Sequence, residues 1–170
     1  MMREAFEDIV RQYQSPIRRF FLHQTLGDSQ LSDDLAQDTF VKAFTHYSSF
    51  RGDATVQTWL MRIAYNVFYD YTRKKRAEMS DEGLERATAT GSGTALTTSP
   101  SPISTKLDLY TALSVLKADE RSCITLQFVD GYDIAAIARI TGLKEGTVKS
   151  HLSRGKEKLA TYLRNNGYGR

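Results

Sequence analysis

The stretch from residue 50 to residue 76, FRGDATVQTWLMRIAYNVFYDYTRKKR, limits the possible folds more than any other part of the chain. Its apolar residues recur at alternating steps of three and one, at Val56, Trp59, Leu60, Ile63, Ala64, Val67, Phe68 and Tyr71. That spacing is one stripe of an amphipathic helix, whereas a strand would alternate at every second residue. Another face of the same helix is polar and carries Arg62, Asn66, Asp70 and Arg73. The sequence therefore predicts a long helix with one face in a core and another in solvent.

This helix ends in four consecutive cations at residues 73–76. Cations at a helix C-terminus are favoured by the helix dipole, so the run has an ordinary structural explanation. Aromatic side chains are nevertheless interleaved with the polar and basic positions, at Trp59, Tyr65, Phe68, Tyr69 and Tyr71. Rings beside cations suit an unpaired nucleic-acid strand, which needs stacking and charge neutralisation together. The helix is therefore a candidate nucleic-acid-binding element.

A change of composition divides the chain in two. Of the 18 residues from 88 to 105, 14 are Ser, Thr, Gly or Pro. Such a segment cannot bury a core, and it predicts a flexible linker. Hydrophobic residues make up 41% of the chain, which is enough for a modest core on each side. The predicted organisation is an all-α fold of two small helical domains, at 1–79 and 106–170, joined by a flexible linker at 80–105.

The N-terminal domain contains two further predicted helices. Residues 5–26 keep helical apolar spacing, with Pro16 inside the pattern, where it is expected to kink or split the helix. The second helix is predicted to begin near Ser32 and to bury Ala36, Phe40, Ala43, Phe44 and Tyr47. Its opposite face carries Asp34, Gln37, Asp38 and Val41. Asp33 and Asp34 diverge by about 100° on a helix, so they do not converge on one metal ion.

The C-terminal domain has the pattern of a helix-turn-helix. Asp133 precedes the short apolar segment IAAIARI, Gly142 permits a turn, and a longer polar helix is predicted to about Leu163. In this motif the second helix enters the major groove of DNA. Residues 144–170 contain seven Lys or Arg and two Glu, which suits that role. The outer face of the last helix offers Thr147, Lys149, Ser150, His151 and Arg154 to bases and phosphates.

Composition excludes several other classes of protein. The net charge of +3 and the pI near 9.0 permit a nucleic-acid partner. Cys123 is the single cysteine and the three histidines show no ligand spacing, so neither a disulfide nor a zinc site is predicted. No nucleophile–base pair or phosphate loop appears, so the chain is not expected to be an enzyme or to need a cofactor. With no apolar run of membrane-spanning length and no signal peptide, it is expected to be cytoplasmic.

Three strings of the sequence resemble motifs of the extracytoplasmic-function (ECF) group of sigma factors, a branch of the sigma-70 family of bacterial RNA polymerase. WLMRIAYNVFYDYTRKKR resembles the helix that melts and reads the −10 element, and DDLAQDTFVKAF resembles the D-L-x-Q-D-x-F signature of region 2.2. The C-terminal domain resembles region 4, with I-A-x-x-x-G followed by G-T-V-K-S-x-L-S-R-G. Lys117 stands where the family usually has Pro, and Ala136 stands where it usually has an acidic residue.

The resemblance implies a transcription initiation factor that binds core RNA polymerase and directs it to promoters. It implies that Asp34, Gln37, Asp38 and Val41 bind the β′ clamp helices, and that the β flap is a second polymerase contact. The loop before the long helix would accept a base flipped from the −10 strand, and the implied −10 contacts are Phe50, Arg51, Arg62, Asn66, Asp70, Arg73 and Lys74. The −35 contacts would be the five outer side chains of the last helix. An anti-sigma factor is an expected partner, and the phosphodiester chemistry would belong to the polymerase.

An alternative stays open at this point, a two-domain helix-turn-helix repressor or activator that does not bind core polymerase. A response regulator would need a receiver domain of alternating strands and helices, and the first 80 residues show no strand pattern. The difference between a sigma factor and a repressor lies in the unpaired strand, which only a sigma factor must capture.

Overall fold

A computed structural model describes the backbone of residues 2–81 and 102–167 and the side chains of residues 5–80 and 108–167. The described part is helical and contains no strand, which confirms the all-α prediction. Its helices are α1 (Met2–Gln24), α2 (Ser29–His46), α3 (Val56–Asp81), α4 (Pro102–Ser114), α5 (Ala118–Phe128), α6 (Ile134–Thr141) and α7 (Glu145–Asn165), with one 3-10 turn at Tyr47–Ser49. Of the linker expected at 80–105, residues 80–81 end α3, residues 102–105 begin α4, and residues 82–101 lie outside the described residues.

Helices α1, α2 and α3 pack against one another and form the N-terminal half. Helix α1 runs through Pro16 without being split. It ends where Leu26 and Gly27 adopt left-handed backbone angles and the Gly27 N–H donates to the Leu22 carbonyl at 2.8 Å. A left-handed residue after the last turn is a common way for a helix to stop.

Helix α2 begins earlier than the sequence predicted. Its N-cap is Asp28, whose carboxylate accepts from the Leu31 N–H at 3.1 Å. Ser32, predicted as the cap, is buried inside the helix with its hydroxyl 2.8 Å from that of Thr25. The predicted buried stripe is also partly wrong, because Phe44 is 50% exposed, while the buried residues of the helix are Ser32, Leu35, Thr39 and Ala43. Small hydroxyl residues can take the inner face because a nearby group satisfies each of them.

Helices α4, α5, α6 and α7 form the C-terminal half, in which α7 packs against α4, α5 and α6. Lys117 is the N-cap of α5, and its N–H donates to the Glu120 carboxylate at 3.0 Å. A proline at this position would have no N–H to give, so the unusual lysine has a local use. The buried Glu120 is also paired with Lys158 of α7 at 2.7 Å, which ties α5 to α7.

The two halves contact each other, with α3 against α6 and α1 against α5. Met61 and Tyr65 of α3 are buried although neither belongs to the stripe that the sequence predicted. Tyr65 donates a hydrogen bond to Asp119 of the C-terminal half at 3.2 Å, and Met61 lies one turn away on the same face. Helix α3 therefore has two buried faces, one in the N-terminal core and one toward the C-terminal half.

Candidate functional site

The first candidate surface lies on α2. All four side chains predicted to bind polymerase are exposed, namely Asp34, Gln37, Asp38 and Val41. Gln37 and Val41 line a shallow apolar groove of about 470 Å³ between α1 and α2, whose other lining residues are Phe6, Val10, Phe40, Phe44 and Thr45. Asp34 and Asp38 are exposed but do not line it.

Two large apolar side chains in this groove are exposed to solvent to an unusual extent. Val41 is 60% exposed and Phe44 50%, and the Phe44 ring meets Phe6 edge to face with centroids 5.2 Å apart. Contiguous exposed apolar surface rimmed by polar residues is typical of a protein–protein contact. Phe44 is an exposed groove residue that the sequence analysis missed, because helical spacing alone assigned it to the core.

The second candidate surface is a pocket of about 480 Å³ between the loop after α2 and the start of α3. Phe50 and Trp59 provide its aromatic wall, with ring centroids 4.9 Å apart and planes inclined by 38°. Arg51 and Arg62 line the same pocket, and so does Arg139 of α6 from the C-terminal half. The remaining lining residues are Ser49, Asp53, Ala54 and Thr58. Aromatic faces with guanidinium groups beside them can stack a base and hold its phosphate.

The structure brings together three of the seven predicted −10 contacts in this pocket, Phe50, Arg51 and Arg62. The other four follow along α3 outside it. Asn66 is exposed one turn beyond Arg62, and Arg73 and Lys74 are exposed further on. Trp59 and Arg139 are pocket residues that the site prediction omitted.

Asp70 is held by cations on two helices. Its carboxylate lies 3.4 Å from the Arg73 guanidinium and 3.9 Å from the Lys42 ammonium group of α2. Both pairs are exposed, so each contributes little to stability. Their effect is to place an acidic side chain between one cation of α2 and one of α3.

The third candidate surface is the helix-turn-helix formed by α6 and α7. Asp133 caps α6 by accepting from the Ala136 N–H at 2.8 Å, and Gly142 adopts the left-handed conformation that turns the chain toward α7. Val148 and Leu152 face the core. Of the five predicted −35 contacts, Thr147, Lys149, Ser150 and Arg154 are exposed, and His151 is half-buried. The Ser150 hydroxyl donates to the Gly146 carbonyl at 3.1 Å.

Within the described residues, no three His, Cys, Asp or Glu side chains come together as a metal site would require. No described helix is long and apolar enough to cross a membrane.

Comparisons with known protein families match both halves of the chain. Residues 9–78 match the family described as Sigma-70 region 2, and residues 106–159 match the family described as Sigma-70, region 4. The chain is 32% identical over 161 residues to the ECF RNA polymerase sigma factor SigM of Mycobacterium tuberculosis (strain H37Rv), covering 95% of this chain and 78% of that protein. It is 31% identical over 172 residues to the ECF RNA polymerase sigma factor SigW of Bacillus subtilis (strain 168), covering 95% and 90%.

Solved structures are similar over nearly the whole chain. The sigma factor RpoE from Bartonella quintana, determined in complex with the anti-sigma factor NepR, superposes with a TM-score of 0.75 at 27% identity and covers 95% of this chain and 98% of that one. CnrH, determined in complex with the cytosolic domain of CnrY, has a TM-score of 0.70 at 22% identity and covers 96% and 90%. The second likeness shows the fold alone.

Proposed function

Because the chain belongs to the ECF group of the sigma-70 family and is a promoter-specific transcription initiation factor, we propose a division of work between its halves. The N-terminal half binds core RNA polymerase and captures the −10 strand, and the C-terminal half reads the −35 element. The observation that carries this proposal is the pocket of Phe50 and Trp59 flanked by Arg51 and Arg62. A protein that binds only duplex DNA has no use for such a pocket.

Core polymerase binds the exposed side of α2. The groove at Val41 and Phe44 offers apolar area, Gln37 offers a polar contact in its lining, and the exposed Asp38 lies on the same helix outside it. An apolar centre with a polar rim is the usual composition of a protein interface. The extended helices of the β′ clamp fit a shallow groove of this kind, since helix-in-groove docking needs a short apolar row and little depth.

The −10 strand is captured beside the start of α3. Extracting a base from the stack costs a few kcal/mol, so the receiving site must return stacking and hydrogen bonds. Phe50 and Trp59 supply stacking, Arg51 and Arg62 neutralise phosphates, and Asn66 offers an amide to a base edge. Arg73 and Lys74 extend the positive charge along the strand.

The −35 element is read in the major groove by α7. Thr147, Lys149, Ser150 and Arg154 project from its exposed face, and Arg154 is the side chain best suited to a bidentate contact with guanine. His151 is half-buried and plays a smaller part.

The protein acts in the cytoplasm, without a cofactor of its own, and the polymerase performs the phosphodiester chemistry. The sigma factor RpoE from Bartonella quintana was determined in complex with the anti-sigma factor NepR, and we propose that this chain likewise has an anti-sigma partner.

The proposal is tested by open-complex formation with core polymerase, measured as permanganate reactivity of −10 thymines. Asn66→Ala is expected to retain core binding and closed-complex formation but to reduce open complexes. A template with a pre-melted −10 bubble should rescue it only in part, because opening is then supplied while base capture stays impaired.

Variants of the other two surfaces serve as matched controls. Gln37→Ala with Asp38→Ala should weaken core binding, whereas Arg154→Ala should not change it. If the Asn66→Ala protein opened linear promoters as well as the wild type does, Asn66 would have no role in capturing a base. If the wild-type chain opened no promoter with core polymerase, the result would instead support the alternative of a helix-turn-helix repressor that does not bind core polymerase.

A further inference from the structure

The pocket at the start of α3 carries positive charge that no described residue neutralises. Three guanidinium groups line it, those of Arg51, Arg62 and Arg139. None of the three makes an ion pair or a side-chain hydrogen bond with another residue in the described part of the chain. Arg18 and Arg19 of α1, by contrast, each pair with an aspartate. Cations that share a pocket without partners repel one another, so an anion placed among them is stabilised.

The three guanidinium groups come from three separate elements of the fold. Arg51 belongs to the loop before α3, Arg62 to α3 itself and Arg139 to α6. Asp53 is the acidic side chain of the described lining, so three cations stand against one carboxylate. A cleft lined mainly by one sign of charge concentrates small ions of the other sign. Guanidinium groups suit phosphate in particular, because their paired N–H donors match its oxygens.

The same pocket has an aromatic wall. Phe50 and Trp59 are half-buried, with ring centroids 4.9 Å apart and planes inclined by 38°. A nucleobase stacks on such rings whatever its identity, since every base has a π-face. The volume of about 480 Å³ lies in the usual range for small-molecule sites, about 300–1,000 Å³. The pocket thus combines a surface for a base with cations for phosphate.

The number of cations favours a free nucleotide over a strand as the ligand of the whole pocket. Each nucleotide of a strand brings one phosphate charge. A nucleoside triphosphate brings three phosphates in one short chain attached to a single base. Three guanidinium groups around one aromatic wall match that distribution of charge, and Arg139 is the one of the three that lies outside the predicted −10 contacts.

We propose that this pocket is a binding site for a nucleoside triphosphate in the free protein. The base stacks on the wall of Phe50 and Trp59, and the triphosphate lies among Arg51, Arg62 and Arg139. A −10 base would use the same wall, so a bound nucleotide and a captured base exclude each other. This consequence rests on the proposed function, whereas the binding site does not.

The test uses Trp59, the single tryptophan of the chain, as its reporter. The full chain is titrated with ATP and with GTP in the absence of divalent cations, and the fluorescence is corrected against N-acetyltryptophanamide in the same solutions. Saturable quenching is expected with a dissociation constant below about 1 mM, the upper end of common substrate affinities. Inorganic tripolyphosphate has the charges without a base. Calorimetry should show it binding about tenfold more weakly or less, and it should not quench Trp59.

Two variants separate the wall from the cations. Phe50→Ala should weaken nucleotide binding about tenfold and leave tripolyphosphate binding unchanged, because only the base needs the ring. Arg139→Ala should weaken both about tenfold, since it removes a charged hydrogen-bond donor. Arg139 is exposed on α6 and alanine favours helices, so this variant is expected to fold. Arg11→Ala is the matched control, because it removes the same charge from an exposed position of α1 and should change neither affinity.

Three results would overturn the proposal. They are the absence of saturable quenching by either nucleotide up to about 1 mM, equally tight binding of tripolyphosphate and nucleotide, and an Arg139→Ala protein that binds like Arg11→Ala. The proposed function is judged separately, by open complexes formed with core polymerase. A wild-type chain that opens promoters but binds no nucleotide would end this proposal and leave the proposed function standing.

Discussion

Gly155 offers a sharp test of how the reading helix is held. It lies inside α7 and is buried against α5, where a Cβ added to it would come within 2.7 Å of Ile124 Cγ1 and 3.1 Å of Ile124 Cδ1. Carbon atoms in contact normally stay about 3.5–4.0 Å apart, so Ile124 or the helix would have to move by close to 1 Å. Such overpacking costs about 1–3 kcal/mol. The better helix propensity of alanine returns about 1 kcal/mol, so Gly155→Ala is expected to lower the free energy of unfolding by about 0–2 kcal/mol.

Gly146 is the matched control, because it lies in the same helix with nothing within 4 Å of an added Cβ. Gly146→Ala should therefore stabilise the protein, by up to about 1 kcal/mol. Urea unfolding followed by circular dichroism gives both values. The single tryptophan, Trp59, lies in the other half, so its fluorescence shows whether the two halves unfold together.

A double-mutant cycle assigns the cost to the contact. Ile124→Ala alone should lower the free energy of unfolding by about 2–5 kcal/mol. In the Ile124→Ala background, Gly155→Ala should cost at least about 1 kcal/mol less than it does in the wild type. The close approach of α5 and α7 would be refuted if Gly155→Ala stabilised the chain as Gly146→Ala does, or if the cycle showed no coupling.

Three further outcomes are expected. Burial and the nearby Arg19 charge lower the pKa of His23, so the unfolded chain takes up the proton first. The free energy of unfolding should therefore fall as the pH drops below about 6.5. His23→Leu should flatten this pH dependence of the urea midpoint between about pH 7.5 and 5.5, and an unchanged slope would contradict the assignment. Val41→Asp should weaken core-polymerase binding at least about tenfold with little change in melting temperature, and equal affinity in a direct titration would remove the groove from the interface. Arg154→Ala should lose roughly 1–3 kcal/mol on −35 duplexes and relax preference at one position, whereas a uniform loss with a shallower salt slope would mark a phosphate contact instead.

Local rules were sufficient for the helices and for several caps. The periodicity from residue 56 predicted the start of α3, and Asp133 and Gly142 were placed correctly because a cap and a left-handed glycine act within a few residues of the chain. The N-cap of α2 was predicted wrongly at Ser32, because short-range rules cannot choose between two suitable capping residues. Asp28 is an equally good cap, and only the packing of Ser32 against Thr25 decides between them.

The apolar groove shows where helical spacing stops being informative. Phe44 follows the buried Ala43 and has the residue type of a core position, yet it lies half exposed against Phe6 of α1. Spacing tells which residues share a face, but it cannot tell which face meets another helix. The four polar and apolar side chains predicted on the opposite face were exposed as expected.

The second buried face of α3 could not be read from the N-terminal half alone. Met61 and Tyr65 lie between polar neighbours, and Tyr65 was read only as an aromatic available for stacking. Tyr65 contacts Asp119 of α5 and α6 packs against α3, so this face is covered by residues more than 50 positions away in the chain. Because Tyr65 ends in a hydroxyl paired with the half-exposed Asp119, this face tolerates water as well as protein contact. A pattern confined to α3 cannot show this face, because the residues that cover it belong to α5 and α6.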